Sequence, residues 1–131
     1  MLLDLVNNGL TLDRIIAYDF ITIYSDIFDI SEKSLGGENS FAFCEFAARR
    51  NIIKTAIKRL VIDGLVKVTE GSIGILYSIS ESGKQVSKDL HSEYAMTYRN
   101  ILFLVIGKYG MDNDVQLLDE INRRSALFLQ E

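Results

Sequence analysis

Apolar residues follow a helical period at both ends of this chain and a strand period in the middle, and the switch fixes the order of its elements. At about 100° per residue, Leu12, Ile15, Ile16, Phe20 and Ile23 fall on one face, so the spacing predicts a helix over 12–24. Thr11 stands ready to cap it, and Asp13 in the first turn suits the helix dipole. A second apolar face, Phe46, Ile52, Ile53, Ala56, Ile57 and Leu60, predicts a helix from 43 or 44 to 63, with Gly64 as its C′ residue. The period then drops to two. Residues 65–69 and 73–79, rich in Val and Ile and joined by Glu70-Gly71-Ser72, read as a β-hairpin. Helical spacing returns afterwards. Ser80 caps a short helix over 81–90, weakened by Gly83. A long helix starts at 92 or 93 and breaks at Gly110, and Asp112 or Asn113 caps a last one that reaches about 129.

Two stretches lack a sustained period. Residues 2–6 make a short apolar segment, read as a brief helix closed by Asn7-Asn8-Gly9. Residues 25–40 are polar and contain Gly36-Gly37, so they read as a long loop with a helical turn near 30–35. That loop is either a linker within the domain or a segment that touches a partner.

Helix, glycine, strand, glycine-containing turn and strand make up the second half of a winged helix. The expected architecture is mainly α: a winged-helix domain over 1–91, with a two-stranded wing, and a C-terminal helical pair over 92–131 as an extension and interaction surface. Composition agrees with this. The chain has 131 residues, 48% hydrophobic and 24% charged, which suits one domain with a real core and excludes a disordered chain. It has no Pro, so long helices run unbroken. One Cys, Cys44, cannot form an internal disulfide, and a reducing cytoplasm is the expected compartment. The start carries no basic region and reaches Asp4, unlike a signal peptide. The longest apolar run, residues 101–106, is far too short for a membrane span.

Charge then singles out particular residues. Asp19 and Arg49 are each set into the apolar face of a helix, and these two helices should pack together. Either charge alone is costly to bury, so the two are expected to meet as a structural ion pair that fixes helix register. A catalytic role for Asp19 would need a second acid or base nearby, and the sequence offers none. Between residues 45 and 67 lie Arg49, Arg50, Lys54, Lys58, Arg59 and Lys67, against only Glu45 and Asp63, in a chain whose net charge is −4. A winged helix lays this helix in the major groove of DNA, which makes Arg50, Lys54, Lys58, Arg59 and Lys67 the candidate phosphate contacts. The acidic turn expected at Glu70 argues against a wing that grips phosphate, and Lys- and Arg-rich helix faces are also ordinary solvated surface.

The C-terminal helices carry more apolar residues than their own packing needs. The first is apolar nearly all round in its second half, and the last ends in Ala126-Leu127-Phe128-Leu129. Tyr94, Tyr98, Phe103, Leu118, Ile121, Leu127 and Phe128 are therefore the candidate partner interface, with packing on the domain's own core as the plainer reading. Nothing in the pattern builds an active site, a cofactor site or a metal site. His91 has only Glu93 near it, Cys44 has no evident base, and Gly71-Ser72-Ile73-Gly74 lacks the Lys and helix of a phosphate loop.

Three stretches together resemble a known family: LTLDRIIAYDFITIYS at 10–25, FAARRNIIKTAIKRLVIDGLVKV at 46–68 and GILYSISESGKQVSKDLHSEYA at 74–95. The Tyr18-Asp19-Phe20 step, the paired Arg49-Arg50, the Gly-Leu-Val after the helix and the Tyr77-Ser78-Ile79-Ser80 close of the wing are similar to the small middle components of bacterial ABC-three-component systems. That group overlaps the Lamassu anti-phage systems. The N-terminal helix is shorter here than in that family. The resemblance implies a cytoplasmic, non-enzymatic adaptor between an SMC-like ABC ATPase and an effector such as a nuclease. From the residues alone, a rival remains: a dimeric winged-helix transcription regulator that binds DNA and pairs through 94–129.

Overall fold

The computed structural model describes residues 2–5, 9–31 and 46–130. It is mainly helical, with one two-stranded antiparallel hairpin among the described residues. A 3-10 turn, Leu2–Leu5, precedes α1, Leu12–Ile23. Thr11, in extended conformation, starts α1 by accepting the Arg14 backbone N–H on its hydroxyl. From Ile15 to Ile23 every residue of α1 is buried, well beyond the single face that the spacing predicts. The cause is tertiary. The helices that follow, the hairpin and α1 meet so that α1 is covered on several sides, and Ala17, Tyr18, Ile21 and Thr22 become core along with Phe20. Thr22 resolves its own polarity by donating to the Tyr18 carbonyl at 2.7 Å, a back-bond open to Thr within a helix.

Helix α2, Phe46–Ile62, buries only Ile57; Phe46, Ile53 and Leu60 are half-covered, and Ile52, assigned to its inner face, is 59% exposed. The helix ends in a Schellman motif. Leu65 N–H reaches the Leu60 carbonyl and Gly64 N–H the Val61 carbonyl, with Gly64 at φ +77°. Strands β1, Val66–Gly71, and β2, Gly74–Ile79, pair from Val66↔Ile79 to Gly71↔Gly74. The tip is therefore Ser72-Ile73, not the Glu70-Gly71-Ser72 turn read from the sequence. Gly74 takes the positive φ of +118°, which lets pairing continue two residues further out. Leu10 and Tyr77 exchange backbone hydrogen bonds of 2.8 Å, so the outer edge of β2 is partly covered from the N-terminal side.

Helix α3, Glu81–Lys88, is capped by Ser80. Gly83 is required in it by contact: a Cβ there would lie 2.2 Å from the Leu65 carbonyl oxygen, so only glycine lets α3 sit against the α2–β1 link. Helix α4, Glu93–Tyr109, is capped by Ser92. Helix α5, Asp114–Gln130, opens with reciprocal 2.8 Å bonds between Asn113 and Gln116, the arrangement of a capping box.

One core cluster joins α1 to Leu102 and Val105 of α4 and Leu117 and Ile121 of α5. The C-terminal helices also hold the start of the connection after α1. Lys108 Nζ donates to the Phe28 carbonyl and Arg124 reaches Asp29, each at 2.8 Å, while the Phe28 side chain is fully buried. Residues 25–31 are thus anchored where the sequence suggested loop; the helical turn expected at 30–35 falls mostly outside the described residues.

Candidate interaction surfaces

Asp19 and Arg49 meet. Arg49 donates from Nε and Nη2 to Asp19 Oδ2, both at 2.8 Å, joining α1 to α2. The carboxylate is nearly closed off, whereas the Arg49 side chain keeps 29% of its surface, so the pair sits at the edge of the core. A third member comes from α4: Tyr98 donates its hydroxyl to Asp19 Oδ1 at 2.8 Å. Burial first, and then the adjoining carboxylate, push the Tyr98 hydroxyl far above the ordinary tyrosine pKa, so it stays a donor. Tyr98 belongs to this internal node and not to a partner surface. The ring of Tyr94, the other tyrosine expected at the interface, stacks on that of Tyr98 at 6.4 Å between centroids.

The basic residues divide. Arg50 pairs with Asp13 at 3.2 Å and Arg59 with Asp63 at 3.2 Å, both on open surface. Lys54, Lys58 and Lys67 are exposed and have no acid partner among the described residues. The hairpin tip carries Ile73, 75% exposed, and Glu70 lies back in β1 opposite Ile75. Neither end of this element has the cation density of a phosphate-gripping wing.

Helix α4 has two apolar faces. Ile101, Leu102, Val105 and Tyr109 point into the core. Met96, Phe103 and Leu104 point out, Phe103 with 69% of its surface exposed, and Gly107 opens onto empty space. Positions 96, 103 and 107 are seven and four apart, one stripe on the side opposite the core. Met111, 98% exposed, follows the helix, and Val115 is exposed at the start of α5. Of the interface residues expected from the sequence, Tyr94 and Phe103 are exposed, Leu118 is half-buried, and Tyr98 and Ile121 are buried. The side chains of Leu127 and Phe128 lie outside the described residues. Met96, Leu104 and Met111 were missed; of these, only Met96, seven residues before Phe103, shares its stripe.

No group of three His, Cys, Asp or Glu side chains suited to a metal ion occurs among the described residues, and Cys44 lies outside them. His91 is exposed. No helix of the described residues is long and apolar enough to cross a membrane. No curated protein and no solved structure matches the chain. A family model does match, over residues 1–131, and by that match the chain belongs to the family of the ABC-three component (ABC-3C) system Middle Component 2.

Proposed function

We propose that this chain is a non-catalytic winged-helix adaptor, the subunit that bridges an SMC-like ABC ATPase and an effector such as a nuclease in an anti-phage defence complex. Membership of a middle-component family makes it part of a multi-component system. The observation that carries the adaptor reading is the second apolar face of α4. Met96, Phe103 and Leu104 stand exposed on a helix whose opposite side already fills the core. A solvent-facing apolar stripe of this kind has a cost in water that a protein partner removes. Gly107 in the same stripe lets another helix approach closely.

The rival is a dimeric DNA-binding regulator; for its phosphate contacts Lys54, Lys58 and Lys67 have no acid partner among the described residues, whereas Arg50 and Arg59 are paired at the surface. Co-expression with the ATPase and effector of the same system separates the two. The adaptor co-purifies with them in a fixed ratio and alone binds DNA weakly. A homodimer that shifts palindromic DNA on its own, and loses salt slope in Lys54→Ala and Lys58→Ala, would overturn the proposal.

A further inference from the structure

Beneath α2 lies a cleft of about 320 Å³ that is partly open to solvent. It lies at the lower end of the roughly 300–1,000 Å³ range of small-molecule pockets. Its walls are apolar: Leu2 and Leu3 from the N-terminal turn, Ile57 and Leu60 from α2, and Val86 and Leu90 toward α3. Ile53, Ala56, Ile57 and Leu60 of α2 line it, so the face that α2 turns inward meets open space as well as atoms.

The lining has a polar point. Asp19, only 5% exposed, borders the cavity with Tyr98 beside it. A carboxylate has about four acceptor sites. Arg49 Nε, Arg49 Nη2 and the Tyr98 hydroxyl fill three, and no other donor reaches it among the described residues. Arg49 already balances the charge, so a further cation is not required.

We propose that this cavity binds an uncharged, mostly apolar small molecule of about ten to twelve non-hydrogen atoms, roughly twice what a cavity of about 150 Å³ that takes benzene holds, with one hydroxyl or amide N–H donated to Asp19. The space has walls from α3, the N-terminal turn and Val66 and Ile79 of the hairpin, and its volume is that of a small-molecule pocket.

Decanol is the probe, added to the full chain and read by thermal unfolding. A ligand that binds only the folded state raises the midpoint. Decanol is expected to raise it by several degrees. Decanoate, whose carboxylate would face Asp19, should bind roughly tenfold or more weakly, because like charges in contact repel. Ala56→Leu, which fills the cavity from α2, should raise the midpoint without ligand and abolish the decanol shift. If that variant fails to fold, Val86→Phe closes the space from α3 and should abolish the shift too. An unmoved midpoint with decanol overturns the proposal. So does an equal shift in the filled variant, or decanoate acting as strongly as decanol.

Discussion

Helices α1 and α2 each carry one charge in an apolar face, yet α1 buries nine of its twelve residues and α2 one of its seventeen. The difference lies in what surrounds them. Helix α1 packs against α2, α4, α5 and β2, so even Asp19 and Thr22 are drawn inside; α2 leans on α1 and β1 over a cavity, with its outer side open. Amphipathic pattern reports that a helix has an inner face. It does not report how many neighbours will close around it.

The comparison breaks first at Phe20. Its ring is fully buried and meets Phe46 at 5.0 Å and Phe28 at 6.1 Å between centroids, edge to face. Phe20→Ala should lower the unfolding free energy by about 3–5 kcal/mol, measured by urea denaturation. Ile52→Ala on exposed α2 should change it by less than about 0.5 kcal/mol. Similar losses at the two sites would mean that α2 is as central as α1.

A smaller effect is expected where the two helices join. Arg49→Ala should cost about 1–3 kcal/mol, less than for a fully buried pair, because Arg49 is part-exposed. Tyr98→Phe should cost about 1–2 kcal/mol. A double-mutant cycle should show coupling between them through Asp19; strict additivity would mean that the three do not act as one node.

Acid should loosen the contacts that Arg124 makes on the C-terminal side. The Arg124 hydrogen bond holds Asp29 below the usual carboxylate range. Burial pushes Glu120 upward, but its bonds to Arg124 and Arg123 outweigh that and leave it lowered. Groups with lowered folded pKa values contribute stability that is present above the unfolded value, near about 4, and lost as pH falls through the folded value. Arg124→Ala should therefore show a smaller drop in melting midpoint between about pH 7 and about pH 3 than the parent chain. An equal drop would remove these two acids from the account. Smallest of all, Lys54→Ala with Lys58→Ala should leave stability within about 0.5 kcal/mol of the parent.

The element order was legible in the sequence because caps and periods are local. Thr11, Ser80 and Gly64 stand where they were expected to act. Asp19 and Arg49 were legible as a pair because a lone charge in an apolar face demands an answer. What depends on a third element was not. Tyr98 looks like any surface tyrosine until α4 is laid on α1. Gly83 reads as a helix weakness until the Leu65 carbonyl is placed against it. The hairpin tip moved because Gly71 and Gly74 both offer turn chemistry, and only pairing decides between them. On α4 an apolar residue at every angle hides which side faces inward, so Phe103 and Tyr98 could not be separated.

Phe103→Asp tests the central claim most directly, since it charges the outer face of α4 and leaves the core face untouched. The account predicts an unchanged melting midpoint together with loss of co-purification with the proposed ATPase and effector partners. Full recovery of the complex with Phe103→Asp in it would contradict it.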